Sequence, residues 1–181
     1  MTTLVIGGAG YVGGHLCAAL EDANENYVVY DNLSTGFEAN MLDAELVVGD
    51  IRDTLFLRKA MVDHKIDRVF HFAAKAYVGD SVKDPATYYD INVGGSLSVL
   101  KAMLLADVGK IVFSSTCAVY GIPATSPISE TETPNPINPY GYTKLTVERM
   151  LSDMADAHGI KFAALRYFNA AGADRKGRIG E

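Results

Sequence analysis

Short apolar runs alternate with longer amphipathic stretches along the whole chain. The apolar runs predict six strands, at Leu4–Ile6, Tyr27–Tyr30, Glu45–Val48, Arg68–Phe72, Lys110–Ser114 and Phe162–Tyr167. The amphipathic stretches predict helices over Tyr11–Glu21, Thr54–Val62, Ala86–Ala106 and Tyr140–His158. Strands and helices that alternate in this way build a parallel sheet covered on both faces, so we expect a doubly wound α/β fold.

The composition is that of an ordinary globular protein and excludes several classes of function. The 181 residues are 49% hydrophobic and 21% charged, with a net charge of −6 and no basic run, so a nucleic-acid or anionic membrane partner is not expected. The chain starts on an apolar strand without a basic leader, and no apolar run approaches the ~18 residues of a membrane span. We therefore expect a cytoplasmic protein. Cys17 and Cys117 lie far apart and the four histidines are scattered, so no metal site is expected.

A glycine-rich segment, G-G-A-G-Y-V-G, follows the first strand and opens the first helix. Gly7, Gly10 and Gly13 would let the backbone turn tightly and approach a pyrophosphate at the positive end of that helix. Tyr11 and Val12 would present backbone N–H groups to the same ligand. The alternative is that the glycines serve only the tight turn.

Acidic and small residues follow the next three strands. Asp31 stands eighteen residues past Gly13, where an acid accepts hydrogen bonds from an adenosine ribose and repels a 2′-phosphate. No arginine follows in D-N-L-S-T-G, so the sequence favours NAD over NADP. Asp50 could accept the adenine amino group, or could merely flank a helix. The other residues at these strand ends, expected on a dinucleotide path, are Ile51, Phe72, Ala73 and Ala74.

A candidate acid–base group lies after the fifth strand. Ser114 and Thr116 fall at the carboxyl end of that strand, and Tyr140 and Lys144 share one face of the following helix. A lysine beside a phenol favours the phenolate, so we expect Lys144, together with a cationic nicotinamide ring, to lower the Tyr140 pKa from its ordinary value of about 10. Thr116 would orient the reacting oxygen. Taken alone, Tyr140 could equally cap the preceding loop, with Lys144 in solvent.

These segments together resemble the extended short-chain dehydrogenase/reductase family, and within it the UDP-glucose 4-epimerases. The resemblance covers essentially the whole chain. It rests on G-G-A-G-Y-V-G-G-H, Y-D-N-L-S-T-G, G-D-I-R-D, H-F-A-A-K-A-Y-V-G-D-S-V, F-S-S-T-C-A-V-Y-G, N-P-Y-G-Y-T-K and R-Y-F-N-A-A-G-A. One departure is Ala76, where many relatives have a lysine that contacts the cofactor; here Lys75 stands one place earlier.

The resemblance implies a Rossmann-like fold and NAD-dependent epimerisation of a UDP-sugar at C4 through a 4-keto intermediate. Tyr140 would be the acid and base, with Thr116 and Lys144 as its catalytic partners. The resemblance assigns Thr116, Tyr140 and Asn169 to the substrate. Besides the residues already named, it assigns to NAD the residues Asn32, Ser34, Thr35, Gly36, Lys75, Asn92, Ser114, Tyr140, Lys144 and Phe168.

The resemblance also predicts the domain organisation. Residues 1–181 would form the NAD-binding domain with the catalytic residues, the family's substrate domain would be largely absent, and the chain alone would be poorly active. The family is expected to pair as a homodimer through its two long helices. Three alternatives remain: a 4,6-dehydratase, disfavoured because Cys117 and Ala118 follow Thr116 where an acid pair is needed, a UDP-pentose or UDP-uronate 4-epimerase, and a non-catalytic NAD-binding fragment.

Overall fold

Six parallel strands form one sheet in the order β3-β2-β1-β4-β5-β6. The structure, a computed structural model, describes residues 1–180, and Glu181 lies outside the described residues. Each predicted strand is confirmed to within two residues at either end. This strand order places β1 and β4 side by side where the direction of winding reverses, which confirms the doubly wound, Rossmann-like fold. The strands are β1 Thr2–Ile6, β2 Asn26–Asp31, β3 Glu45–Val48, β4 Arg68–His71, β5 Lys110–Ser114 and β6 Lys161–Leu165.

Helices cover both faces of the sheet, as predicted. Two single turns of 3₁₀ helix occur at Glu38–Met41 and Cys117–Tyr120. The α-helices are α1 Tyr11–Asp22, α2 Thr54–Asp63, α3 Val78–Lys83, α4 Pro85–Tyr88, α5 Ser96–Leu105 and α6 Pro139–His158. The short helix α3 is not predicted by the sequence. It packs beside α6, where the Ser81 hydroxyl accepts a hydrogen bond from the Tyr140 amide at 3.2 Å, so tertiary contacts support it.

The predicted helix over residues 86–106 is divided into three parts. Between α4 and α5 the chain follows a wider π-helical path over Tyr89–Gly95. At its end Gly95 packs against Ile51, and a Cβ on Gly95 would come within 2.6 Å of the Ile51 side chain. π-helical turns often accompany functional sites because they redirect a side chain out of the regular helical register. Here the redirected residue is Asn92.

Two cores lie on opposite faces of the sheet. On β1, Leu4 and Ile6 face the larger core, which α2, α5 and α6 cover, while Val5 faces the smaller core under α1. This alternation is the two-residue period of a strand. Strand β6 differs, because it is the edge of the sheet and Phe162 and Leu165 remain 39% and 45% exposed. Strand β6 therefore leaves apolar side chains exposed at the edge of the sheet.

Membrane-spanning helices and clusters of metal-binding side chains are both absent from residues 1–180. None of their helices combines the length and the apolar character that crossing a bilayer requires. Within the same residues, no group of three or more His, Cys, Asp or Glu side chains is placed to hold a metal ion.

Candidate active site

The carboxyl ends of the strands open into one crevice made of two adjoining cavities. The first has a volume of about 410 Å³ and lies against the ends of β1, β2, β3 and β4. The second has a volume of about 500 Å³ and lies against α1, α6 and the ends of β5 and β6. Gly7, Gly10, Phe72 and Ala74 line both cavities. A long ligand could therefore pass from one cavity to the other beneath the glycine-rich loop.

The glycine-rich loop allows close backbone approach. Gly7 has a φ of +83°, and a Cβ there would come within 2.5 Å of the Ala73 amide nitrogen. A Cβ on Gly13 would come within 2.8 Å of the Gly8 Cα. Gly10 caps α1 without a side-chain hydrogen bond, so the first amides of the helix remain available for a ligand. Tyr11, Val12 and Gly13 line the second cavity, and this arrangement suits a pyrophosphate.

Asp31 ends β2 on the wall of the first cavity. Its Oδ2 accepts a hydrogen bond from the Ala9 amide at 3.0 Å and its Oδ1 accepts one from the Leu33 amide at 2.9 Å. A carboxylate has about four acceptor positions, so Asp31 can also accept from two ribose hydroxyls. The rest of the predicted turn lies on the same wall, with Asn32, Ser34, Thr35 and Gly36.

Asp50 also lies on this wall, but its carboxylate is not free. The Arg52 guanidinium donates to it at 2.7 and 2.9 Å, and the Arg52 amide and the Asn32 side chain donate as well. Hydrogen bonds from Arg52 are the main reason that the Asp50 pKa falls to about 2. An adenine amino group would have to share these acceptor positions, while Ile51 offers backbone groups beside them.

Arg52 is a residue that the sequence reasoning missed. It lines the first cavity and its third guanidinium nitrogen donates to Asp90 at 2.7 Å. The segment after Asp31 contains no arginine, whereas Arg52 follows β3, two residues beyond Asp50. Because two carboxylates neutralise its charge, Arg52 does not remove the preference for NAD that Asp31 indicates.

The end of β4 contributes the floor shared by the cavities. Phe72, Ala73, Ala74 and Lys75 line the first cavity. Asn92 is buried behind this floor and lines neither cavity, so its contact with the cofactor stays a prediction. Its amide accepts from the Lys75 nitrogen at 2.8 Å and donates to the Lys75 oxygen at 3.0 Å and to Thr143 at 3.1 Å. Asn92 thus fixes the backbone that forms the floor.

The predicted acid–base group converges in the second cavity. Asn138 caps α6 by accepting from the Gly141 amide at 2.8 Å, which fixes the first turn that carries Tyr140. Lys144, one turn later, is almost completely buried and donates from Nζ to the Ser114 carbonyl oxygen at 2.7 Å. Tyr140, Lys144, Ser114 and Thr116 all line the cavity.

The protein groups by themselves do not lower the Tyr140 pKa. Burial raises this pKa, and a hydrogen bond with Thr116 only partly opposes the rise. Burial also lowers the Lys144 pKa to about 7, and its Nζ lies 5.9 Å from the centroid of the Tyr140 ring. Because burial disfavours the charged form of Lys144, this lysine stabilises a Tyr140 phenolate less. With the protein groups alone, the Tyr140 hydroxyl stays protonated.

The end of β6 closes the second cavity. Phe168 and Asn169 line it as predicted, and so does Tyr167, which the sequence reasoning did not single out. The Tyr167 hydroxyl is hydrogen-bonded to the Ser114 hydroxyl, and its carbonyl oxygen accepts from the Cys117 amide at 3.0 Å. Its position in R-Y-F-N, directly before Phe168, was the sequence feature that could have identified Tyr167 as a residue of this cavity.

His71 belongs to the protein interior. Its Nε2 lies 2.9 Å from the Ser96 hydroxyl, which itself donates to the Asn92 carbonyl oxygen. The Ser96 hydroxyl hydrogen is thus used, and His71 must be the donor through Nε2. Burial lowers the His71 pKa to about 3, so the ring is neutral.

Comparison with known proteins gives consistent results. A UDP-glucose 4-epimerase of Halalkalibacterium halodurans is 50% identical over 181 residues, which are all of this chain and 54% of that protein. The crystal structure of UDP-glucose 4-epimerase from Brucella ovis in complex with NAD superposes with a TM-score of 0.97 at 50% identity, over 99% of this chain and 55% of that one. The Thermotoga maritima UDP-glucose 4-epimerase with UDP-glucose gives 0.92 at 37% identity, over 99% and 60%.

The chain spans about half the length of the curated relatives it matches. A family model described as "NAD dependent epimerase/dehydratase family" matches residues 3–180. This match includes the glycine-rich loop, Asp31 and the Tyr140–Lys144 pair, which the fold brings to one crevice. The chain therefore belongs to the NAD dependent epimerase/dehydratase family.

Proposed function

We propose that the chain carries the NAD site and the acid–base group of a UDP-sugar 4-epimerase that interconverts UDP-glucose and UDP-galactose. The observation that carries the proposal is the convergence of Thr116, Tyr140 and Lys144 in the cavity that adjoins the glycine-rich loop. The relatives named above support the choice of reaction and of nucleotide sugar.

In this proposal, bound NAD would accept a hydride from the sugar C4, which leaves a 4-keto sugar, and would later return it. The cationic ring of NAD would also favour the Tyr140 phenolate. Tyr140 removes the proton from the 4-hydroxyl and later returns it. Thr116 orients the hydroxyl, and Lys144 holds the nicotinamide ribose. Phe168 packs against the cofactor and Asn169 contacts the nucleotide sugar.

The composition of the second cavity supports epimerisation over dehydration. A 4,6-dehydratase needs an acid to expel water from the sugar. Among the described residues, the wall of the second cavity holds no Asp or Glu. Cys117 and Ala118 occupy the two positions after Thr116, and neither can act as that acid.

We also propose that residues 1–181 act as the NAD-binding domain, and that residues outside them make most of the contacts that bind the UDP-sugar. Binding energy from remote parts of a substrate normally assists the chemical step. Residues 1–181 alone should then bind NAD but turn over UDP-sugars slowly. A cytoplasmic location without nucleic-acid or membrane partners remains part of the proposal.

The experiment is native mass spectrometry of the purified protein, followed by an assay with UDP-galactose and UDP-arabinose. Retained NAD and conversion of UDP-galactose to UDP-glucose would support the proposal. Conversion of UDP-arabinose but not of UDP-galactose would mean that the substrate is a UDP-pentose instead of UDP-glucose and UDP-galactose. Neither NAD binding nor turnover, even with added NAD, would contradict the proposed function.

A homodimer is a further part of the proposal. Large side chains remain exposed on the two longest helical regions, with Leu105 on α5 at 55% and Tyr142 on α6 at 46%. Pairing of these helices across a twofold axis would bury them. Sedimentation velocity would show a species of twice the chain mass, and a monomer at all concentrations would contradict this assembly.

Replacing Asp31 with Asn should weaken NAD binding by about tenfold and reduce the preference over NADP, because a neutral amide accepts ribose hydroxyls less well and no longer repels a phosphate. Isothermal titration with both dinucleotides measures the change. Asp156→Asn, on the exposed side of α6, is the matched control. If the ratio of the NAD and NADP dissociation constants were the same in Asp31→Asn as in the parent, the assignment of Asp31 to the adenosine ribose would be contradicted.

A further inference from the structure

A buried polar cluster lies directly behind the candidate active site. It consists of Ser115, Tyr120, Glu148 and Arg166, and none of the four lines either cavity. Glu148, only 9% exposed, accepts from Arg166 at 2.5 to 3.1 Å and from the Ser115 hydroxyl. Arg166 also donates to the Tyr120 hydroxyl at 2.9 Å and lies over its ring, at 4.9 Å from the centroid. We refer to these residues as the Glu148 cluster.

The Glu148 cluster joins four segments that supply residues to the second cavity: the end of β5, the following 3₁₀ turn, α6 and the end of β6. The other segments around that cavity, namely the glycine-rich loop, the end of β4 and the start of α3, do not contribute to the cluster. Ser115 lies between Ser114 and Thr116 at the end of β5. Tyr120 ends the 3₁₀ turn that carries Cys117 and Ala118. Arg166 directly precedes Tyr167, Phe168 and Asn169. A shift of the cluster would therefore move all three of these segments relative to α6.

Glu148 completes a regular series along α6. Tyr140, Lys144 and Glu148 are spaced four residues apart and so share one face of the helix. Lys144 donates to the Ser114 carbonyl oxygen, and Glu148 accepts from the adjacent Ser115 hydroxyl. Two successive turns of the helix are thus tied to two consecutive residues at the end of β5, which restricts both the rotation and the position of α6.

We propose that Glu148, paired with Arg166, is a positioning residue of the proposed reaction: it holds α6 against the ends of β5 and β6 so that Lys144 and Tyr140 stay opposite Ser114 and Thr116. This inference rests on the proposed function. A buried carboxylate is costly unless it is fully hydrogen-bonded. Its partners here are the Ser115 hydroxyl and the Arg166 guanidinium, whose segments also carry the cavity residues.

The test separates positioning from stability. Replacing a buried ion pair by two apolar residues is often neutral or stabilising, whereas removing one partner leaves an unpaired charge. We therefore expect Glu148→Met/Arg166→Met to melt close to the parent protein, unlike either single variant. Ser115→Ala, which keeps the ion pair but removes its link to β5, is the second variant. Arg149→Met/Asp153→Met, which replaces an exposed ion pair of α6, is the matched control.

Hydrogen exchange measured by mass spectrometry, without ligand, is the first readout. In the double variant and in Ser115→Ala, exchange over residues 114–120 should become faster, and in the double variant also over 166–169. The second readout is the NAD dissociation constant, expected to rise about tenfold in the double variant. The control should change neither.

Exchange rates at 114–120 equal to the parent in both variants would overturn the inference. So would an unchanged NAD dissociation constant in a double variant of parental stability. If the unchanged protein binds no NAD, the proposed function fails, and the exchange comparison still decides whether Glu148 holds these segments in place.

Discussion

Tyr140→Phe is expected to lower kcat for UDP-galactose by about 10³-fold, within the range of losses that follow removal of a general acid and base. The substitution deletes one oxygen and keeps the ring, so the packing of the start of α6 should be preserved. The NAD dissociation constant should stay within about threefold of the parent value, because the hydroxyl contributes one hydrogen bond at most to the cofactor. A coupled assay for UDP-glucose formation measures kcat, and titration calorimetry measures NAD binding.

Tyr142→Phe is the matched control, since it removes the same atom from an exposed tyrosine two residues along the same helix. It should leave kcat unchanged. A Tyr140→Phe protein that still turns over at a rate near that of the parent would exclude Tyr140 as the acid and base, whatever the other residues do.

Lys144→Met is expected to stabilise the fold while removing most of the function. Burial lowers the Lys144 pKa to about 7, so folding disfavours the charged ammonium. A methionine of similar length avoids that penalty, and we expect the free energy of unfolding to rise by about 2 kcal/mol at pH 6. Turnover should fall by about 10²-fold or more, because the proposed hydrogen bond from Lys144 to the nicotinamide ribose would be lost.

The pH dependence of this effect has a defined sign. Between about pH 7 and the ordinary lysine pKa of about 10.4, the unfolded chain binds more protons than the folded one, so the parent gains stability as the pH rises. The advantage of Lys144→Met should thus be greatest below pH 7 and shrink toward pH 10. Thermal unfolding from pH 6 to 10 measures it, with Lys101→Met on the exposed side of α5 as the control. An advantage that does not vary with pH would show that Lys144 is not desolvated.

Local sequence was sufficient for the elements that depend on local physics. Each strand was predicted because its apolar run is short, and the helix ends at Asn138 and Gly159 follow capping chemistry. The glycine-rich loop was also recognisable, since only glycine tolerates the φ of Gly7 and the approach of Ala73. The parallel order of strands then follows, because crossovers between parallel strands have one hand.

Features that depend on distant partners were missed or incomplete. Arg52 reaches the first cavity because β3 ends beside β2, a neighbour relation that no local pattern contains. The resemblance assigns Asn92 to the cofactor, and only the tertiary structure shows that its amide also holds the Lys75 backbone. The expected lowering of the Tyr140 pKa relied on Lys144 and a cationic nicotinamide ring together. Without that ring, burial of Tyr140 and Lys144 outweighs their proximity and the Tyr140 pKa is raised.

The sequence by itself determined the fold class, the dinucleotide loop, the acid at the end of β2 and the Tyr140–Lys144 pair, because spacing along one strand or one helix carries that information. The tertiary structure decided how these groups are charged and held in place. Desolvation of Lys144, neutralisation of Arg52 and the attachment of α6 to β5 and β6 through Glu148 depend on packing between segments far apart in the chain, and electrostatic energies depend on that packing more than on residue type.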